Sequence, residues 1–328
     1  MRALVTGATG FIGRALTREL VAAGDRVTCL VRPTSNRAPL EALGVDFALG
    51  DVTQPETLAA AVADVDVVYH LAAMLMAPWS PDFLATNSIG VRNVLAPCAA
   101  RAKPPRVVLV SSLAAAGPSG AVPRTEDDPP APVSRYGASK LGGEAAAREY
   151  ADRLQISMVR PPLVFGPGDG HLLPAYKLAQ HGIGFAYSDA AYSMIHVDDL
   201  AALLRVVAVR GEPAARTGPL GQGIYFVGAE LAPTQPEMWR LIGTAIGRRD
   251  VRVVRLPPLA VRAMGAVAEI AGRLTGPSLW SRDKAREATA GSWTCSTAKA
   301  RSLGWLPAQP LEDRLAGTGE WYRAQGML

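Results

Sequence analysis

The first 24 residues constrain what this chain can fold into more than any other stretch. A β-rich apolar run, Arg2–Thr6, passes directly into Gly7-Ala8-Thr9-Gly10-Phe11-Ile12-Gly13, and a helical stretch follows at Arg14–Ala23. Glycines at this spacing let the backbone turn sharply and approach a pyrophosphate, whose charge is favoured at the positive end of a helix. A glycine triplet alone is weak, because glycine-rich turns are common. The strand before it and the helix after it give it meaning. Gly7, Thr9, Gly10, Phe11, Ile12 and Gly13 are therefore expected to cradle a dinucleotide.

The pattern continues as such a unit requires. Strand candidates at Arg2–Thr6, Arg26–Arg32, Val45–Leu49, Val65–Leu71, Arg106–Ser111 and Ile156–Arg160 alternate with helical stretches near 13–24, 56–63, 82–102 and 136–154. Alternation of this kind predicts an α/β fold, a doubly wound parallel sheet of Rossmann type with helices on both faces. Continuous apolar strands such as Val107-Val108-Leu109-Val110 fit a sheet covered on both sides. After Pro161, prolines and glycines break the pattern into shorter pieces, and Gly223–Val227 reads as a strand returning to the sheet. Residues 1–165, joined by 196–229, are expected to form the dinucleotide-binding domain. Residues 166–195 and 230–328 are expected to form a smaller substrate-binding cap.

Composition excludes several classes. Of 328 residues, 49% are apolar and 19% charged, as in ordinary globular enzymes. The three cysteines (Cys29, Cys98, Cys295) and four histidines (His70, His171, His181, His196) show no paired spacing, so neither a disulfide framework nor a metal is expected. The net charge of +5 is spread along the chain, and its densest cluster, Arg248, Arg249, Arg252 and Arg255, is interrupted by Asp250 and valines. A nucleic-acid partner is not expected from such a distribution. The first apolar run is too short for a signal peptide, and no run reaches the roughly 18 apolar residues of a membrane span. A cytoplasmic location follows as the expectation.

Chemistry enters at Tyr136-Gly137-Ala138-Ser139-Lys140. Tyr136 and Lys140 lie one turn apart on one helix face. A free phenol titrates near 10, and a neighbouring ammonium together with a positively charged oxidised nicotinamide is expected to lower that value. Ser112 closes the fifth strand, where open α/β sheets hold ligands, and can hydrogen-bond a substrate oxygen. Asp51 and Val52 are placed to frame an adenine, and Leu71-Ala72-Ala73 to let the chain approach the cofactor. His70, inside an apolar run, reads as packed. The second strand ends in Arg32, not in the acid that usually meets the ribose of NAD. That exchange favours NADP over NAD, with Arg37 assisting.

The glycine loop, Asp51-Val52, His70-Leu71-Ala72-Ala73, Ser111-Ser112, the Tyr136/Lys140 pair, Arg160-Pro161-Pro162, Gly166-Pro167-Gly168-Asp169 and His196-Val197-Asp198-Asp199 occur in order. Together they resemble the extended short-chain dehydrogenase/reductase family, also called the NAD-dependent epimerase/dehydratase family, over nearly the whole chain. The resemblance implies a sheet of about seven strands and a homodimer. It also implies a Ser–Tyr–Lys site in which Ser112 polarises a carbonyl, Tyr136 moves the proton and Lys140 holds the nicotinamide ribose. Pro161, Leu163 and Val164 would then lie beside the cofactor, and Asn87 near the substrate.

Departures from the family pattern narrow the activity. Leu113-Ala114 stands where sugar-nucleotide dehydratases carry an acidic pair, and Leu163 and Tyr192 stand where epimerases carry an Asn and an Arg that hold a diphosphate. The pattern around Tyr192–Asp199 is instead similar to the branch of 3β-hydroxysteroid dehydrogenases and dihydroflavonol reductases. The expected activity is hydride transfer between a nicotinamide and a ketone or secondary alcohol on a sizeable apolar small molecule, of steroid, terpenoid, aromatic or acyl type. Met74, Met76, Leu113 and Tyr192 would contact that substrate. The alternatives are a redox-neutral nucleotide-sugar epimerase using bound NAD, and a non-catalytic NADP-sensing regulator. A second lipophilic stretch, 256–275, reads first as a helix buried in the core. A helix at the mouth of a lipid-like pocket, or one in peripheral contact with a membrane, stays open.

Overall fold

The computed structural model of the chain describes residues 1–75, 80–275 and 281–328. Its strands are β1 (Arg2–Thr6), β2 (Arg26–Val31), β3 (Asp46–Leu49), β4 (Val67–His70), β5 (Arg106–Val110), β6 (Ile156–Arg160), β7 (Leu163–Phe165), β8 (Ile183–Ala186), β9 (Met194–His196), β10 (Ile224–Phe226) and β11 (Arg252–Arg255). Among the described residues, seven of them form one sheet in the order β10-β6-β5-β4-β1-β2-β3. Every neighbouring pair in it is parallel. The six strands expected from residues 1–160 all form, within two residues of the expected ends, and β10 returns to the edge beside β6.

The chain winds outward from β1 through β2 and β3, then restarts at β4 on the other side. The order therefore reverses between β1 and β4, where the carboxyl ends of the strands leave a crevice. Thr6 pairs in register with His70 across that point. Buried Val5, Tyr69, Val108, Val159 and Tyr225 face the helices Phe11–Ala22 and Val197–Arg210 in one cluster, and Leu4, Val68, Leu109 and Met158 pack into a second that includes Val94 and Leu95. Pairs β7·β9 and β8·β11 make two small sheets of their own. A third apolar cluster, with Tyr176, Trp239, Ile242, Leu315 and Tyr322 at its centre, ties the later segments together.

Three expected helices differ. Residues 56–63 form a 3-10 turn at Pro55–Thr57 followed by turns closed by hydrogen bonds of 3.2–3.3 Å. Pro55 and the need to bury Leu58 and Val62 favour this compact path over a regular helix. The stretch 82–102 is broken by a π-helical turn at Ala85–Ile89 before the helix Gly90–Ala99. There the chain presses on the helix Arg135–Arg148, where a Cβ at Gly143 would stand 2.3 Å from the Asn87 carbonyl oxygen. That helix also ends at Arg148, not at 154.

The stretch 256–275 departs most from its first reading. It is a helix, Pro258–Thr275, and Val261 is buried, but Leu259, Met264, Val267 and Ile270 are exposed, not in the core.

Candidate active site

The glycine loop is built by backbone approach. Gly7 takes a φ of +70°, and a Cβ there would sit 2.7 Å from the Ala72 nitrogen; at Gly13 it would sit 2.2 Å from the Gly7 oxygen. Side chains at these positions would fill the space that brings β1, the loop and the first helix together. Gly10 is the N-cap of the helix Phe11–Ala22 and offers no side-chain cap, which leaves that helix's first N–H groups to a ligand. Thr6 fixes the other wall. Its hydroxyl oxygen lies 3.1 Å from the Ala72 N–H it accepts and 2.8 Å from His70 Nδ1. Leu71, Ala72 and Ala73 thus line the mouth of the crevice, and the residues present fit a dinucleotide there.

Other expected cofactor residues lie at strand ends and in the loops that follow them. Arg32 lies exposed just past the end of β2, its backbone N–H donating to the Ser35 hydroxyl. Arg37 instead stacks its guanidinium over the Phe47 ring at 5.6 Å. The Asp51 carboxylate accepts from the Thr53 N–H and hydroxyl, at 2.9 and 2.8 Å, an Asx turn that shapes the loop. Val52 is buried against Gly90. Pro161 gives its carbonyl to the Leu113 N–H at 2.8 Å, and Leu163 and Val164 begin β7.

Ser112 caps the short helix Leu113–Ala116 by accepting from the Ala114 N–H at 3.1 Å, which leaves its own proton to give. Its side chain lies close enough to the Tyr136 hydroxyl to pull the phenol's pKa down. Burial outweighs the pull, and the Glu287 charge adds to it, so Tyr136 is held well above the ordinary phenol range. The sequence led us to expect an ammonium that lowers this pKa. Here Lys140 Nζ donates to the Val110 carbonyl at 2.6 Å, and burial pushes its own pKa down to about 8 against the pull of Glu144. His70, buried and neutral with its pKa pushed down to about 3, is packed as expected and supplies no base.

Tyr136 belongs to an apolar cluster with Phe83, Leu113, Phe226 and Trp293, against which Met74 and Tyr192 pack. The Phe83 ring meets Tyr136 edge-on at 6.2 Å. Tyr192 accepts from Gln235 Nε2 at 2.9 Å. Asn87 holds Met74 on both sides, accepting from its N–H at 2.8 Å and donating to its carbonyl at 3.0 Å, and also donates to Ser139 at 2.9 Å. Its amide thus clamps the loop after β4 to the helix Arg135–Arg148, which carries Tyr136 and Lys140 and is the candidate catalytic helix. Met76 lies outside the described residues.

Two groups escaped sequence reasoning. Glu144, one turn beyond Lys140, makes a buried two-pronged pair with Arg160 at 2.8 and 2.6 Å and accepts from Ser111. At the other end, the helix Arg282–Ala288 docks on the start of the catalytic helix. Asp283 accepts from the N–H groups of Arg135 and Tyr136 at 2.9 and 3.2 Å, Glu287 accepts from Ser134, and Lys284 Nζ stands 5.1 Å from the centre of the Tyr136 ring. Ser134 as a helix cap was the one local signal available.

Fold and site define a nicotinamide-dependent oxidoreductase of the extended short-chain type. Residues 3–218 match the model of the NAD dependent epimerase/dehydratase family, and the chain belongs to that family. It is 34% identical to a ceramide reductase of Caulobacter vibrioides, over 99% of this chain and 95% of the relative. It is also 29% identical to a 2-alkyl-3-oxoalkanoate reductase of Shewanella oneidensis, over 95% and 84%. The solved UDP-glucose 4-epimerase of Thermus thermophilus, in complex with NAD, shares the fold at a TM-score of 0.76 and 23% identity, over 98% of this chain and 99% of that one.

Proposed function

We propose that the protein reduces a ketone on an acyl-type apolar substrate, with NADPH preferred. The observation that carries this reading is the placement of buried Tyr136, one turn before Lys140 on the same helix and close to Ser112, within an apolar cluster. A reductase needs a proton for the carbonyl oxygen, and a buried phenol holds one at neutral pH. When bound, the nicotinamide supplies the hydride. Ser112 donates to the substrate oxygen and orients it, Tyr136 gives that oxygen its proton, and Lys140, one turn away, holds the nicotinamide ribose. Residues 166–195 and 230–328 serve as the substrate cap.

The acyl class is supported by the two named relatives, a ceramide reductase and a 2-alkyl-3-oxoalkanoate reductase. Leu113, Leu163 and Tyr192, which stand where the sugar-nucleotide enzymes carry acids, an amide and a cation, support it against a diphosphate substrate. The NADP preference rests on Arg32, exposed at the tip of β2, where a guanidinium suits a 2′-phosphate. A homodimer through the catalytic helix fits the small exposed Ala138 and Ala145 beside exposed Ile89.

The test is NADPH oxidation with 2-alkyl-3-oxoalkanoates and N-acylated 3-ketolipids, run beside UDP-glucose. Stoichiometric NADPH oxidation by a ketone, reduced about 10²–10⁴-fold in Tyr136→Phe, is expected. Sugar conversion with no net cofactor change would establish the epimerase instead.

A further inference from the structure

We propose that the outer face of the helix Pro258–Thr275 seats the enzyme on an anionic lipid surface. At about 100° per residue, Leu259, Ala263, Val267 and Ile270 share a narrow sector, which Ala260, Ala271 and Met264 widen to somewhat under half the circumference. Arg262 and Glu269 fall outside it. This sector faces solvent: Leu259 is 79% exposed, Val267 66%, Ile270 54% and Met264 52%.

The inner face is the small one. Val261 is buried, and a Cβ at Gly265 would stand 2.5 Å from Ala285 Cβ and 2.8 Å from the Ser281 oxygen. The helix therefore packs on Arg282–Ala288 through small residues and turns its large ones outward. A helix folded for the core does the reverse.

Charge selects the occupant. Arg252 and Arg255, on the strand that leads into the helix, are exposed, as are Arg282 and Arg286 on the helix packed against it. Arg255 pairs with Asp189. Among the described residues the guanidinium groups of Arg252, Arg282 and Arg286 have no carboxylate partner. An uncharged apolar strip on a segment that carries exposed, unneutralised arginines before it and on the helix packed behind it matches the boundary between acyl chains and anionic headgroups. A second copy fits worse, because a two-fold contact of this face with itself would bring the same arginines together. None of the described helices is long and apolar enough to cross a membrane, so the helix lies in the interface plane.

The surface is one helix from the chemistry. The helix it rests on caps the catalytic helix through Asp283 and places Lys284 over the Tyr136 ring. A substrate dissolved in lipid would thus meet the enzyme near Tyr136, a consequence that rests on the proposed reductase activity, whereas lipid binding does not.

The experiment is flotation of the full chain with vesicles of phosphatidylglycerol and phosphatidylcholine, and with phosphatidylcholine alone, at low and high salt. Flotation with the anionic vesicles, weakened by salt and reduced about tenfold or more in the triple variant Leu259→Ser, Val267→Ser, Ile270→Ser, is the expected result. The variant should keep the wild-type melting temperature and NADPH affinity. Wild-type protein that stays unbound, or a variant that floats equally well, overturns the proposal. So does a dimer that the variant splits without any flotation, which would make the occupant a second copy. Flotation that persists when no ketone is reduced would overturn the proposed function and leave the lipid contact standing.

Discussion

The two walls of the crevice are held by different means. On the cofactor side, Gly7, Gly13 and Ala72 meet backbone to backbone, at distances where a single Cβ would collide. On the tyrosine side, the catalytic helix is held by side chains: Glu144 with Arg160 and Ser111 below it, and Asp283 and Glu287 at its start. The first wall joins the loop to the end of β4, 66 residues apart at Thr6 and Ala72, and at Gly7 and Gly13 only glycine fits. The second is assembled from segments up to 153 residues apart, and several residue types could have served. The first should therefore fail through geometry and the second through charge.

The largest stability effect is expected at Glu144. Its partner Arg160 has a side chain only 3% exposed, so Glu144→Ala strands a buried guanidinium, at a cost of about 3–5 kcal/mol. Chemical denaturation measures it. The double variant Glu144→Leu, Arg160→Met should recover most of that loss, because an apolar pair replaces an ionic one with little net change. Failure of the double variant would mean that this wall, too, depends on shape.

Lys140 gives the tyrosine side a pH signature. Its pKa is near 8 in the folded chain and 10.5 when unperturbed. Between those values the unfolded chain binds more protons, so stability rises with pH through this window, by up to about 1.4 kcal/mol per unit from this group. Below about 8 the buried ammonium costs stability. Lys140→Met should flatten the rise in stability between pH 8 and pH 10.5 relative to wild type. An unchanged slope would show that Lys140 is solvated, not held against Val110.

Gly13→Ala tests the other wall. With the Gly7 oxygen 2.2 Å from the added carbon, backbone must move, at a cost of about 1–3 kcal/mol. Cofactor affinity, read by quenching of tryptophan fluorescence, should fall with it. Retained affinity would show that the loop has slack and that the two walls differ less than their contacts suggest.

The same division decides what could be read from the residues alone. The glycine loop, the six leading strands, Ser112 and the Tyr136/Lys140 pair are local patterns, each set by backbone geometry or one helical turn, and the structure brings them to one crevice. Asp283 and Glu144 left no such trace, because a carboxylate in a helical sequence looks the same whether it faces solvent or a helix end. The π-helical turn at Ala85–Ile89 arises from pressure against Gly142 and Gly143, a contact that propensity does not encode. In 256–275 periodicity marked an apolar face correctly but carried no information on which side the rest of the molecule would cover.

The smallest predicted effect separates the walls most directly. Asp283→Ala removes the acceptor of two N–H groups at the start of the catalytic helix, while Ser134 still accepts from Gly137 at 2.9 Å. A lost cap of this kind costs about 1 kcal/mol, a fall of about 2 °C in the melting temperature for a chain of this size. Because Asp283 touches the residue pair Arg135–Tyr136 and nothing on the glycine loop, turnover should fall while NADPH affinity stays at the wild-type value. Asp283→Asn, which keeps one acceptor oxygen, should recover part of the turnover. Affinity that drops in step with turnover would mean that the start of the catalytic helix also sets the cofactor wall, and the two sides would have to be treated as one unit.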